Sequence, residues 1–114
     1  MGMPQTDTHW TADMVRALPD DGKRYELVSG ELVVTPAPAP LHQKILAALF
    51  KRLDLHVQQT GAGRVLWSPA DLAFGEDEIL QPDIFVLPAS LPRGFRKWSD
   101  VSSLLLAVEV LSPS

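Results

Sequence analysis

The chain of 114 residues contains no cysteine. That excludes disulfides and thiolate metal sites, and it suits a reducing, cytoplasmic setting. Positive charge is not in excess either: 10 Lys and Arg stand against 14 Asp and Glu, for a net charge of −4. Such a balance argues against broad, non-specific coating of nucleic acid. It leaves room for an enzyme that meets nucleic acid only at a metal-bearing cleft, where the ion supplies much of the positive charge. No apolar run approaches the roughly 18 residues needed to cross a membrane. The opening MGMPQTDTHW lacks the basic and then apolar stretches of a signal peptide. There is no internal repeat. What remains is an ordinary apolar content of 46%, enough for one core, since a domain of this size buries roughly two thirds of its unfolded surface.

Local patterns divide the chain. TADMVRALP reads as a short helix with Thr11 as N-cap, Met14, Val15 and Leu18 on its apolar side and Pro19 as its stop. RYELVSGELVVT is broken by Ser29-Gly30 and reads as a β-hairpin with Tyr25, Leu27, Leu32 and Val34 as apolar positions. The alternating TPAPAP favours an extended connection. After it, Ile45, Leu49, Leu53 and Val57 recur every four residues, widened by Leu46 and Phe50. This predicts a long helix over residues 41–59, ended by Gly61. From Arg64 the period falls to two, and RVLWSP, DLAFG and LQPDIFVLP are strand-like runs punctuated by proline and glycine. LPRGFRKWSD is a loop in which Arg93, Arg96 and Lys97 surround Phe95 and Trp98. It reads first as a solvated loop anchored by two aromatics, with a grip on a backbone phosphate as the alternative. The last strand, residues 104–111, has no polar alternation, as expected of a central strand covered on both faces. The whole predicts a mixed α/β domain with one long helix, an N-terminal hairpin and central strands, a single domain over residues 1–114.

Two acidic residues stand out because their surroundings are apolar: Asp83 in LQPDIFVL and Glu109 in LLLAVEVL. An ionised carboxylate in a dry interior costs several kcal/mol unless something pairs with it. Taken alone, each reads first as structural, Glu109 as salt-bridged to an arginine and Asp83 as a turn residue at a strand start. Together, on neighbouring strands, they can converge on one cation, and hard oxygen donors favour Mg²⁺ or Mn²⁺.

Four stretches taken in order, YELVSGELV, PAPAPLHQKIL, QPDIFVL and LLLAVEVLSPS, resemble the Uma-type restriction-endonuclease family, a branch of the PD-(D/E)XK nuclease superfamily. The resemblance runs from Tyr25 to the end of the chain. It implies a restriction-endonuclease-like core that hydrolyses phosphodiester bonds in nucleic acid, DNA foremost. Pro82-Asp83 and Glu109 would hold Mg²⁺, with the carbonyl of Val110 as a further ligand. His42, at a position where the family carries histidine, could touch phosphate or a ligand water, though a histidine near a helix start is more often incidental or structural. The superfamily pattern places a lysine two residues after the glutamate, where this chain has Leu111. In Uma-type sequences that lysine stands on a following helix, so the chain is expected to be a truncated form lacking the C-terminal part of the core, weak or inactive as it stands. Glu31 is an accessory candidate, ahead of Glu26, which the Tyr25-Glu26 alternation sets on the polar face. The competing expectation is a non-catalytic module that keeps the scaffold for binding nucleic acid or for self-association, as a homodimer built on an uncovered terminal strand.

Overall fold

The computed structural model describes residues 9–111. In chain order its elements are α1 (Ala12–Arg16), β1 (Arg24–Val28), β2 (Glu31–Thr35), α2 (Pro40–Thr60), β3 (Gly63–Trp67), β4 (Leu72–Gly75), β5 (Glu78–Leu80), β6 (Ile84–Pro88) and β7 (Leu106–Val108), with a 3-10 turn at Trp98–Asp100 before β7. The result is a mixed α and β fold with two antiparallel sheets and one long helix, consistent with a restriction-endonuclease-like core. No helix among the described residues is long and apolar enough to cross a membrane. The chain forms two compact units.

The first unit joins the described residues up to Ala37 with Asp71–Gln81, and its sheet runs β2-β1-β5-β4. Ser29 and Gly30 both adopt positive φ (49° and 82°), the conformation that lets a two-residue turn match the twist of a hairpin. β1 and β2 pair from Arg24↔Thr35 to Val28↔Glu31 on either side of it. Thr11 caps α1 by accepting the Met14 N–H. Ala12 and Val15 of that helix pack with Leu27 and Ile79, and Tyr25 and Leu32 close over them. Met14 and Val34, expected on apolar faces, are exposed.

The second unit comprises Pro38–Ala70 and the residues from Pro82 onward, with a sheet in the order β3-β6-β7. Its described residues hold seven Lys and Arg against four Asp and Glu, while the first unit's hold three against nine. The acidity of the chain is therefore a property of the first unit. The second is basic.

Helix α2 presents Leu46, Leu49, Phe50, Leu53 and Val57 to Val65, Ile84 and Val86. This stripe follows the 3.6-residue period of the helix rather than a strict i+4 row. The i+4 row drifts about the axis, so Ile45 ends 44% exposed. Gly61 closes α2 in the left-handed conformation, φ 69°. Strand alternation sends Phe85 and Leu87, both fully buried, to the opposite face of the sheet from Ile84 and Val86. There Trp98 meets Phe85 edge to face at 5.9 Å. The loop between β6 and β7 thus covers the face that α2 does not.

The final strand departs from expectation. β7 is three residues long rather than eight, and it lies at the edge of its sheet. Leu105 is 55% exposed and Leu106 45%. An unbroken apolar run fits a strand buried on both faces, but among the described residues only Val108 of β7 packs against the cluster under α2, while Leu106 and Ala107 are exposed. The run LQPDIFVLP is also not one strand: Leu80 ends β5 in the first unit's sheet, and Ile84 begins β6 in the second unit's.

Gly63 pairs with Pro88 so closely that a Cβ there would run into the Leu87 carbonyl oxygen, whereas nothing lies near a Cβ at Gly61. Gly61→Ala is therefore expected to cost about 1 kcal/mol, the strain of a left-handed alanine. Gly63→Ala should cost about 3 kcal/mol or more, because backbone cannot give way as a side chain can. Urea unfolding of the two variants checks the order; equal losses would contradict the close approach.

Candidate functional site

Pro82-Asp83 sits in the break between the two sheets, where the chain bends before entering β6. Two backbone bonds fix Asp83 there: its N–H donates to the Val108 carbonyl at 3.0 Å and its carbonyl accepts the Ser68 N–H at 3.0 Å, while Pro82 before it is buried. Its side chain is turned inward, and the residue is 2% exposed. Oδ2 lies 3.2 Å from Nε2 of His42 and accepts the Val110 N–H at 2.8 Å. His42 is itself 8% exposed, and its Nδ1 has no hydrogen-bond partner among the described residues. Asp83 thus meets a histidine and a main-chain amide. These two donors make a buried carboxylate tolerable.

Each part of this arrangement has a local cause. His42 falls in the first turn of α2, which Pro40 starts by supplying a helix-compatible φ without needing a donor. The helix then lies over β3 and β6 through its apolar stripe, which carries His42 to the Asp83 end of β6. The β6–β7 register, Ile84↔Val108, Phe85↔Ala107 and Val86↔Leu106, makes Asp83 and Glu109 the next residues of the two segments beyond its last pair. Both carboxylates therefore stand at the same end of the ladder. Asp83 is buried and Glu109 is exposed.

The remaining sequence candidates are distributed differently. Val110 meets Asp83 through its amide rather than its carbonyl. Glu31 is exposed at the start of β2. Glu26, expected on a polar face, is 4% exposed. Its Oε2 accepts the Gln81 N–H at 2.8 Å, and its Oε1 lies 3.7 Å from Nε of Arg24, which donates in turn to the Gln81 carbonyl at 3.2 Å. Residues 24 and 26 share one face of β1 and clasp both sides of one peptide unit of the β5 exit. Alternation does set Glu26 on the polar face of β1, but that face is not the solvent face. Gln81 also bonds Asp71 through its side-chain amide.

Sequence reasoning named His42 but did not couple it to Asp83, since no spacing rule links a helix start to a distant strand start. The chemistry of the donors bears on a metal directly. Among the described residues no three His, Asp or Glu side chains gather into a cage. Mg²⁺ does not require one: it keeps several waters and is commonly held by one or two carboxylates with substrate phosphate. Two hard oxygen donors at one end of a ladder, one buried and positioned, the other open to solvent, fit an ion of that kind.

A long helix against an antiparallel sheet, with a Pro-Asp pair entering one strand and a glutamate following the next, is the arrangement of a restriction-endonuclease-like protein. The chain belongs to the Uma2 family, whose description is "Putative restriction endonuclease" and whose model matches residues 12–114. The family places the protein among nuclease-like proteins, which usually work with divalent metals. No curated protein matches the chain.

Removing the imidazole in His42→Ala leaves a buried carboxylate with one donor fewer and is expected to cost about 3 kcal/mol. Asp83→Ala strands the Val110 N–H and should cost about 1–3 kcal/mol. Chemical denaturation measures both. An unchanged midpoint for His42→Ala would show that the pairing does not hold this end of the sheet.

Proposed function

We propose that this chain carries a metal-binding nuclease site that hydrolyses phosphodiester bonds in DNA, with Asp83 and Glu109 as ligands of Mg²⁺ or Mn²⁺ and Val110 contributing its carbonyl. The observation that carries the reading is the pairing register, which brings a buried, doubly bonded aspartate and an exposed glutamate to one end of the β6–β7 ladder. When bound, the ion lowers the pKa of a water and offsets charge developing on the phosphate. The protein's own part is positioning. His42 and the Val110 N–H hold one oxygen of Asp83 in a single orientation, which fixes its carboxylate plane. Glu109 meets substrate and solvent from the open side. The absence of cysteine supports a cytoplasmic setting.

Titration calorimetry with Mn²⁺, together with cleavage of an end-labelled DNA duplex in Mg²⁺ or Mn²⁺, tests the proposal. Glu109→Ala is expected to weaken ion binding at least tenfold and to remove cleavage. Ion binding and cleavage that survive Glu109→Ala would end the proposal.

One observation favours a second reading, a scaffold that pairs with itself. β7 leaves one edge without a strand neighbour among the described residues and exposes Leu105 and Leu106 beside it. An apolar open edge is a template for a strand from a second copy. A homodimer formed this way predicts a molar mass that doubles with concentration in light scattering and returns to monomer in Leu106→Lys. A monomer across the micromolar range removes it.

A further inference from the structure

The loop between β6 and β7 carries three cations, Arg93, Arg96 and Lys97, all exposed. No salt bridge to any of them forms among the described residues. The nearest acid in sequence, Asp100, directs its carboxylate toward the Lys97 N–H at 3.4 Å, closing the small turn Trp98–Asp100. The loop is not loosely held. Trp98 stands edge to face on Phe85 at 5.9 Å, and Phe95 lies against Trp98 at 5.8 Å. The Arg64 guanidinium sits 6.0 Å from the Phe95 ring centre and donates to the Leu91 carbonyl at 2.9 Å. Turns at Pro88–Leu91 and Pro92–Phe95 shorten the path between these anchors. Cations on an anchored loop forfeit less conformational entropy on binding than cations on a slack one.

We infer that this loop is a docking surface for the sugar–phosphate backbone of nucleic acid, using Arg93, Arg96 and Lys97 as phosphate contacts. Three observations point the same way. No salt bridge supplies the cations with a counter-charge among the described residues. They belong to the basic unit of an otherwise acidic chain. And the aromatic rings between them are already engaged: Phe95 is bracketed by Trp98 and Arg64, and Trp98 by Phe85 and Phe95. Rings committed to anchoring cannot serve as stacking platforms for bases, so recognition is by charge and is indifferent to sequence. The choice of nucleic acid as the polyanion rests on the nuclease reading; the surface itself does not depend on a metal.

The experiment measures binding of fluorescent 20-residue DNA duplexes of two unrelated sequences in EDTA, as a function of salt. Replacing Arg93, Arg96 and Lys97 together by alanine should lower the magnitude of the log K against log salt slope by about 2 to 3, close to 0.9 per lost phosphate contact, equally for both sequences. The control triple variant Lys44→Ala, Lys51→Ala and Arg52→Ala removes the same charge from exposed positions on α2 of the same unit. Its slope should stay within about 0.5 of the unmodified chain. Equal losses in the two triples, no salt-dependent binding by the unmodified chain, or tighter binding to polyglutamate than to DNA would each overturn the inference. Circular dichroism confirms that the variants remain folded. Measured in EDTA, this binding reads the cationic loop without any contribution from a divalent ion. Failure of the loop and failure of the metal site are therefore read from different measurements.

Discussion

A buried carboxylate needs partners, and Asp83 finds them in a helix start and a strand end. His42 comes from the first turn of α2, and the Val110 N–H from the segment after β7. Those two bonds tie together three pieces of chain that are remote in sequence, and they do so at the point where the chain crosses into its second sheet. An unpaired aspartate there would cost several kcal/mol, so the helix, β6 and β7 must all arrive in register for the bend to be stable. The geometry that makes Asp83 tolerable is also what gives it one orientation.

The clasp on Gln81 follows the same logic in the first unit. Glu26 and Arg24 satisfy the N–H and carbonyl of one peptide at the exit of β5, a place where strand pairing has ended and the backbone would otherwise be left unpaired. Glu26 thereby has a structural explanation that a solvent-facing hairpin carboxylate would not need. Both units use acidic side chains to finish backbone hydrogen bonding at sheet ends. In the second, an exposed glutamate also stands at the same end of the ladder.

Net charge misleads when charge is segregated. The −4 of the whole chain argues against contact with a polyanion, yet the unit bearing Asp83 and Glu109 is basic once the acidic hairpins are set aside. Its cations divide between the outer side of α2 and the loop over Phe85. The latter are held on aromatic supports, and that distinction comes from ring geometry rather than from composition.

Much was legible in the residues themselves. Ser29-Gly30 demanded a hairpin because positive φ at two successive positions has few other uses. The apolar stripe of residues 46–57 demanded a helix, and Thr11 and Gly61 marked helix ends through their own capping chemistry. Asp83 and Glu109 drew notice because a carboxylate among apolar neighbours is energetically conspicuous. What tertiary structure alone decided is which face is wet. The polar face of β1 proved to be interior, and the apolar run of β7 proved to be an exposed edge. Alternation reports that two faces differ; only the neighbours brought by folding determine which one loses its water. The pairing of His42 with Asp83 belongs to the same category, since it depends on how a helix lies across a sheet and not on any pattern along the chain.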